Sequence, residues 1–388
     1  MTMTISIRKI FTFLTGMSIS ATALAQHHIP TDWSVVAEIP AGSMQSKQPG
    51  LAGGISGVFQ QVLIIAGGSN FPDSLPWQGG KKKYHDDIFV LDLDNNDTYK
   101  WMNAVPDKLP QALAYSACTS TPNGVISIGG ENEKGLVSSA YLIGWDMGIK
   151  KCIITSLPDF PFPVTNAAAA YATGKVYVAG GETAGGVSRG FYALSLNAVE
   201  KGWQKLPDLP SATSHTLLLA QAGDENGQLF LIGGRRKDPS GVSELYDQVF
   251  AFAPHSGTWI RKSSLPYPLS AGTGVCVDKK DLFIFGGDKG ETFHQVELLM
   301  SEIVHEHDPL KKQQLTDRKN DLQVHHPGFS HELLTYRIKR DKWKRAGKLD
   351  FTIPVTTNAS IRDHKIFIAG GEIRAGVRTA QVVAGIIH

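Results

Sequence analysis

Residues 63–68 read LIIAGG, a short apolar run that ends in two glycines, and this pattern organises the whole chain. The run returns as VISIGG ending at Gly130, VYVAGG at Gly181, LFLIGG at Gly234, LFIFGG at Gly287 and IFIAGG at Gly371. Counted from Gly68, successive doublets are 62, 51, 53, 53 and 84 residues apart. A period near 50 residues with a glycine doublet is typical of kelch repeats, each of which forms one four-stranded blade of a β-propeller.

The other segments of each repeat keep the same phase. An apolar run such as AYLIGW (140–145) follows a doublet, and a Trp-containing strand then leads to a Leu-Pro turn, as at Leu206-Pro207. A run of small residues such as AAAAYA (167–172) comes after the turn. Short apolar runs bounded by turn residues are typical of strands. The sequence therefore predicts an all-β fold, a six-bladed kelch-type β-propeller that forms a single domain over residues 26–388.

The last repeat is one strand short. After Gly371 the chain supplies only TAQVVAGII (379–387). Residues 33–39 have the form of the missing strand, because they begin with Trp33, continue with apolar residues and end before Pro40. Propellers avoid exposed sheet edges by closing their ring. We therefore expect residues 33–39 to complete the sixth blade.

The fifth repeat carries an insert of roughly thirty extra residues, which covers about 289–331. Apolar residues at 296, 298, 299, 303 and 304 predict a helix before Pro309. Long insertions in compact domains are commonly functional loops or disordered excursions. We expect this insert on the same rim as the other loops that follow a doublet.

Composition excludes several classes of protein. The chain has 38 Lys and Arg against 36 Asp and Glu, so it lacks the basic balance of a nucleic-acid binder. Hydrophobic residues make up 42% of it, enough to build a core and too many for a disordered chain. Its three cysteines, an odd number, do not predict a disulfide framework, although one bridge is possible. We expect buried, unreactive thiols.

Residues 1–25 have the pattern of a secretory signal. Arg8 and Lys9 precede an apolar stretch over 10–25, which ends in Ala23-Leu24-Ala25, a small-x-small cleavage pattern. We expect cleavage before Gln26 and export to the periplasm. No later segment has the length and hydropathy of a membrane span.

Residues just after the doublets are the first candidates for a site, because these loops share one face of the ring at the mouth of the central channel. The residues there are Asn70, Glu131, Glu182, Arg235, Asp288 and Glu372, followed by Arg189, Arg236, Arg374 and Arg378. An Arg fork binds a carboxylate through two parallel hydrogen bonds, and a Glu can take a proton from a hydroxyl. Such a funnel suits a small polyhydroxylated acid. Loop residues are commonly polar for solvation alone, so a structural role is the alternative for each of them.

Two segments carry a more specific signal, GGSNFPDSLPWQGGKKKYHDDIFVLDL (67–93) and GGEIRAGVRTA (370–380). Together they resemble the kelch-type N-acetylneuraminate epimerases, or sialic acid mutarotases, in a branch with circularly permuted blade order. The motif Gly-Glu-x-x-x-Gly-x-Arg-Thr of that family matches Glu372, Gly376, Arg378 and Thr379. A near-duplicate, Glu182 with Arg189, has a spacing of seven residues instead of six.

The resemblance implies an isomerase that interconverts the α and β anomers of N-acetylneuraminate. It implies Glu372 as the proton acceptor and Arg378 as its partner. Their positions after the doublets, apart from the resemblance, make Arg235, Asn70, Glu182 and Arg189 the expected substrate-binding residues. Neither a cofactor nor a metal is implied.

The sequence lacks the features that other functions of propellers require. A sialidase propeller needs repeated Ser-x-Asp-x-Gly-x-x-Trp boxes, and HSGTW (255–259) lacks the Asp. A kelch-type copper oxidase needs a rim cysteine, which this chain does not offer. The insert histidines, His305, His307, His325 and His326, could suggest a metal site, but a solvated insert is favoured because a metal needs converging ligands. The remaining alternative is a non-enzymatic propeller that binds a glycan or a protein.

Overall fold

The six repeats form six antiparallel sheets of four strands, arranged as the blades of a β-propeller. This is seen in a computed structural model that describes residues 31–42, 47–94, 98–103, 106–221 and 227–387. The signal-like segment 1–25 lies outside the described residues. In the part of the chain that is described, no helix is both long and apolar enough to cross a membrane.

Each blade runs from an inner strand at the channel to an outer strand at the periphery. In that order, the strands are Ile55–Phe59, Val62–Ala66, Asp87–Asp92 and Lys100–Trp101 in blade 1; Ala117–Thr121, Gly124–Ile128, Ala140–Asp146 and Lys151–Leu157 in blade 2; Ala168–Ala172, Lys175–Ala179, Phe191–Ser195 and Gln204–Lys205 in blade 3; Leu217–Ala220, Leu229–Ile232, Val249–Ala253 and Thr258–Lys262 in blade 4; Thr273–Val277, Asp281–Phe285, Glu332–Arg337 and Lys342–Lys348 in blade 5; and Ala359–Arg362, Lys365–Ala369, Gln381–Ile387 and Thr31–Glu38 in blade 6. A further strand, Asp107–Lys108, pairs with the third strand of blade 1.

The chain start closes the ring, as the sequence predicts. Thr31–Glu38 pairs antiparallel with Gln381–Ile387, and the register slips once, between Val35 and Ala37. The Trp33 ring lies 5.3 Å from the ring of Phe285 in blade 5, measured between centroids. The first and last parts of the described chain therefore share one sheet.

The hydrophobic core is divided among the interfaces between blades. Buried apolar residues form clusters, each drawn from two neighbouring blades. Phe230 of blade 4 and Tyr336 of blade 5, for example, are both fully buried, with ring centroids 5.8 Å apart. Full burial of such a side chain contributes about 1.5–3 kcal/mol, so face-to-face packing of sheets stabilises the ring.

The glycine doublets are required by the backbone. Gly370 and Gly371 have φ values of 62° and 104°, a region that favours glycine. A Cβ on Gly371 would lie 2.7 Å from the Val355 carbonyl oxygen. The Gly371 amide donates to the carbonyl of Leu51, which leads into blade 1, at 2.6 Å. The doublet therefore joins one blade to the next.

Short hairpins follow the doublets on one rim. Their strand pairs are Ser69–Asn70 with Lys83–Tyr84, Glu131–Asn132 with Gly135–Leu136, Glu182–Thr183 with Gly186–Val187, Arg235–Lys237 with Ser243–Leu245, and Glu372–Arg374 with Val377–Arg378. Single 3-10 turns occur at Pro76–Gln78, Val199–Lys201 and Ile338–Arg340.

In blade 5 two helices take the place of the hairpin. Helix α1 spans Glu291–His305, which confirms the helix predicted before Pro309. A second helix, α2, spans Pro309–Val324 and is not predicted by the apolar pattern of the insert. Asp308 caps α2 by accepting hydrogen bonds from the amides of Leu310 and Lys311, and proline occupies its first turn.

Among the described residues none of the three cysteines forms a disulfide; Cys118 is buried, as expected, whereas Cys152 and Cys276 are only half-buried. Burial raises the pKa of the Cys118 thiol to about 11, which keeps it protonated and unreactive.

Candidate active site at the mouth of the central channel

Six equivalent residues, one from each blade, surround the channel mouth. Each directly follows a glycine doublet and pairs through its backbone with the residue three or four positions before an inner strand. We call this set the rim ring, and its members are Ser69, Glu131, Glu182, Arg235, Asp288 and Glu372. These backbone pairs fix the Cα position of each rim-ring residue. The chemistry of the channel mouth therefore depends on which residue type each blade has at this position.

A second ring lies just inside the first. Its residues all take positive φ values between 51° and 66°, and we call them the left-handed ring: Gly53, Tyr115, Asn166, His215, Ala271 and Thr356. Backbone hydrogen bonds of 2.7–3.0 Å join them from Ala271 through His215, Asn166, Tyr115 and Gly53 to Thr356. Main-chain atoms therefore connect all six blades at the mouth.

The two rings and the insert enclose a cavity of about 570 Å³. Five of the six rim-ring side chains line it, and α1 adds an apolar side through Phe293, Val296 and Met300. This volume is in the range of small-molecule sites, which place a few polar groups in an otherwise apolar cleft.

Glu372 and Arg378 lie together on one wall of the cavity. Arg378 Nη1 is 3.5 Å from Glu372 Oε1, and the Gly376 amide donates to the same oxygen at 2.7 Å. The Arg378 side chain is only 5% exposed, and its guanidinium carbon lies 4.6 Å from the centre of the Phe71 ring. Nevertheless, Nε and Nη1 of Arg378 are buried without a hydrogen-bond acceptor in the described part of the chain. Buried donors are usually satisfied, so these two nitrogens are an exception within the described residues.

The surroundings of Glu372 favour proton exchange. Burial raises the pKa of its carboxyl, while Arg378, the Gly376 amide and Lys82 oppose the rise. A carboxyl whose pKa is raised toward neutrality can both take and return a proton.

The two segments that resemble the epimerase family meet here. Phe71 supports Arg378, and a Cβ on Gly376 would lie 3.0–3.2 Å from the Trp77 ring and Pro76. Gly376 also has a φ of 70°. The spacing of the motif is thus set by a tight turn packed on blade 1.

A second charged group lies on the opposite part of the rim ring. Glu182 Oε1 accepts a hydrogen bond from Ser214 Oγ at 2.9 Å and lies 3.4 Å from His215 Nδ1. Arg235 Nη2 is 3.3 Å from His215 Nε2, and the guanidinium lies over the Phe293 ring at 4.3 Å. Burial and Arg235 lower the pKa of His215, so its imidazole is neutral near pH 7. Burial alone would raise the pKa of Glu182, but its hydrogen bonds and Arg235 lower it to about 2.

A third group joins blades 1 and 2. Tyr84 Oη donates to Glu131 Oε1 at 2.6 Å, and Lys82 Nζ lies 3.2 Å from the same oxygen. Sequence reasoning missed Lys82 and Tyr84 because they stand just before and on the return strand of a rim hairpin, far from the doublet.

The predicted site residues divide into two groups. Glu372, Arg378, Glu182 and Arg235 all line the cavity. Arg189 and Asn70 are not among its lining residues.

Asn70 and Arg189 hold the backbone of the rim instead. Asn70 is 1% exposed, donates to the Gly50 carbonyl at 3.1 Å and pairs with His85 at 3.0 Å. Successive strand residues point to opposite faces, so Ser69 and not Asn70 occupies the rim-ring position. Arg189 donates through Nε to the Leu209 carbonyl at 2.9 Å.

The insert histidines differ from one another. His305, His307 and His325 are exposed, as expected of a solvated insert, but His326 is half-buried and lines the cavity. Across the described ranges, no three His, Cys, Asp or Glu side chains are grouped as a metal site requires.

Comparison with known proteins supplies an independent line of argument. A sequence profile described as N-acetylneuraminate epimerase matches residues 13–150 and 157–388. The N-acetylneuraminate epimerase of Vibrio cholerae serotype O1 is 25% identical over 230 residues, or 58% of each chain. The enzymes of that name from Haemophilus influenzae strain PittEE and Pasteurella multocida are each 25% identical, over 229 and 231 residues, or 59% of this chain and 58% of theirs. The alignments thus span less than two thirds of these relatives.

Proposed function

The chain belongs to the N-acetylneuraminate epimerase family, and on that premise we propose that it interconverts the α and β anomers of N-acetylneuraminate. The names of its relatives support an epimerase of sialic acid, and the cavity supports acid–base ring opening and closure. We also propose that the enzyme works in the periplasm, since residues 1–25 have the pattern of a secretory signal.

One observation carries the proposal: Glu372, a half-buried carboxyl with a raised pKa, lies beside the buried guanidinium of Arg378, and both residues line the same cavity. Anomer exchange needs a proton removed from the anomeric hydroxyl and later returned. A cation beside the base would accelerate it by holding the sugar carboxylate or by stabilising developing oxyanion charge.

Glu372 takes the proton from the anomeric hydroxyl as the ring opens to the open-chain ketone. Rotation about the neighbouring carbon–carbon bond then presents the other face of the ketone, and ring closure returns the proton. Positioned acid–base groups contribute about 10²- to 10⁴-fold to such rates.

Arg378 presents donors to the carboxylate or to the oxyanion that forms on ring opening. Its position over Phe71 and its burial hold the guanidinium in place before substrate arrives. Donors that are fixed in advance stabilise developing charge without reorganisation during the reaction.

An NMR time course tests the proposal, starting from the pure α-anomer and subtracting the uncatalysed rate. Glu372→Gln keeps the shape of the side chain and removes its basicity, so we expect the catalysed rate to fall at least about 100-fold. Glu200→Gln, an exposed change in blade 3, should leave the rate unchanged. An undiminished rate in a folded Glu372→Gln protein would exclude this residue as the base.

The same samples distinguish the enzyme from a binding module. A protein that binds N-acetylneuraminate but does not exceed the uncatalysed rate would support a non-enzymatic glycan-binding propeller instead. Arg378→Lys keeps the charge but loses the planar fork, and Arg374→Lys, an exposed change in the same hairpin, serves as its control.

A further inference from the structure

The rim ring holds a second carboxyl that the mechanism above does not use. Asp288 follows the doublet of blade 5, as Glu372 follows that of blade 6, and both line the cavity. Their backbones are fixed in the same way, with Asp288 bonded in both directions to Ser270 and Glu372 to Val355, at 2.8–3.0 Å. The two carboxyls therefore start from equivalent points on neighbouring blades.

Asp288 has few interactions that would hold it ionised. The hydrogen bond given to its side chain in the described part of the chain comes from the Gly290 amide, to Oδ1 at 2.7 Å. Burial raises its pKa, opposed by that amide, His326 and Arg235 and reinforced by Glu291.

The groups that face Asp288 do little to stabilise the negative charge of its ionised carboxyl. Burial lowers the pKa of His326, so its imidazole is neutral near pH 7, and its Nδ1 accepts from the Gly328 amide at 3.0 Å. Arg235 is already engaged by His215 and Phe293. The charge of Asp288 in turn raises the pKa of Glu372. A carboxylate that disfavours the ionisation of a neighbouring carboxyl favours a state in which only one of the two is ionised.

We propose that Asp288 is a second catalytic residue, an inference that rests on the proposed function. Asp288 is the general acid that protonates the ring oxygen while Glu372 deprotonates the anomeric hydroxyl. Such a pair needs one carboxyl ionised and one protonated at the same time. Asp288 and Glu372 thus reach one cavity from two neighbouring blades.

The proton balance of the step is complete. As the bond between the anomeric carbon and the ring oxygen breaks, the ring oxygen takes the proton of Asp288 and the anomeric hydroxyl gives its proton to Glu372. The open-chain ketone then carries a free hydroxyl, Glu372 is protonated and Asp288 is ionised. On closure to the other anomer, Asp288 takes the hydroxyl proton and Glu372 returns its own to the new anomeric oxygen.

The first test is the pH dependence of the mutarotation rate. The wild type should give a bell-shaped profile, since the base must be ionised and the acid protonated. Asp288→Asn can still accept from Gly290 but cannot deliver a proton. We expect its rate to fall about 10²- to 10⁴-fold and its alkaline limb to disappear. Glu244→Gln, with a side chain 62% exposed on the same rim, is the matched control and should keep both limbs.

The second test needs no substrate. In protein labelled with ¹³C at aspartate carboxyls, the signal missing from Asp288→Asn identifies Asp288. We expect it to titrate above the ordinary range near 3.9, and Glu372→Gln to move it back toward that range. A titration within the ordinary range, unaffected by Glu372→Gln, would overturn the inference.

The outcomes separate the two proposals. A wild type without mutarotase activity overturns the proposed function and the role of Asp288 with it. An active wild type with an undiminished Asp288→Asn rate overturns the inference alone. His326→Gln should keep the alkaline limb, and loss of that limb in this variant but not in Asp288→Asn would assign the acid to His326.

Discussion

Glu182 and Glu372 occupy equivalent positions of two blades, yet their surroundings move their pKa values in opposite directions. For Glu372 the cost of burial outweighs Arg378, the Gly376 amide and Lys82, and its pKa is raised. Glu182 receives Ser214 and faces His215 and Arg235, and its pKa is lowered to about 2. One carboxyl is thereby suited to proton exchange, while the other remains ionised and holds its neighbours in place.

The lowered pKa of Glu182 predicts an acid-dependent loss of stability. Its ionised form is favoured in the folded protein, so its contribution is present above the unfolded pKa near 4.3 and is lost as the pH falls toward about 2. Glu182→Gln should therefore lower the free energy of unfolding at pH 7, and the difference from wild type should close in acid. Urea titrations at several pH values measure this. A constant difference at all pH values, or the same effect from exposed Glu200→Gln, would contradict it.

For single residues, the sequence predicts which ones lie at the channel mouth better than it predicts what their side chains do there. The doublet places Glu372, Glu182 and Arg235 at the channel mouth because the next residue pairs with the segment that precedes an inner strand. Asn70 lies one position beyond the rim-ring residue Ser69, and its role in substrate binding stays a prediction. The surroundings of Arg378 include Phe71 of blade 1 and Gly376 of blade 6. These two residues are near each other only because the ring closes, so the sequence does not reveal this environment.

Among the elements, helix α1 is the one that shapes the cavity. Glu297 is 7% exposed and accepts hydrogen bonds from the backbone amide and the hydroxyl of Ser243, at 2.7 and 2.9 Å. Hydrogen bonds to charged groups contribute about 1.5–3 kcal/mol each. The helix is thus attached to the hairpin of blade 4 and forms a fixed wall.

Removing this attachment should loosen α1 while the blades remain folded. We expect Glu297→Ala to reduce the hydrogen-exchange protection of α1 amides at least about tenfold, since two buried donors on Ser243 lose their acceptor. Glu302→Ala, at an exposed position of the same helix, is the control. Equal protection in both variants would show that packing alone holds the helix.

Sequence reasoning recovers α1 but not α2 for a physical reason. Apolar residues recur in α1 at helical spacing, and Leu299 is buried. Helix α2 has no buried residue, so no apolar periodicity marks it. Its signals are local, the Asp308 cap and the proline that follows, and these alone are weak predictors of a sixteen-residue helix.

The whole molecule depends on joining its two ends in blade 6. The outer strand comes from Thr31–Glu38, and Trp33 packs on Phe285 and Phe351 of blade 5. The repeat pattern predicts this closure because the count of strands after Gly371 is one short. It does not predict the partners of Trp33, which belong to another repeat.

Trp33 should therefore contribute to global stability more than its neighbours on the strand. We expect Trp33→Ala to lower the free energy of unfolding by about 2–3 kcal/mol, less than for a fully buried Trp because the ring is partly exposed. Val35→Ala, at a residue 51% exposed on the same strand, should change it by about 0.5 kcal/mol or less. Urea midpoints compare the two, and equal shifts would argue against closure through Trp33.

In the left-handed ring the main chain joins the blades, while the side chains are left to contact a ligand. Its links are main-chain atoms, so glycine, tyrosine, asparagine, histidine, alanine and threonine stand at six interchangeable places without altering the joints. Evolution, or a designer with a combinatorial library, can retune selectivity there one side chain at a time. The restriction is conformational, because every substituted residue must adopt a positive φ. β-Branched residues disfavour this conformation, although Thr356 adopts it.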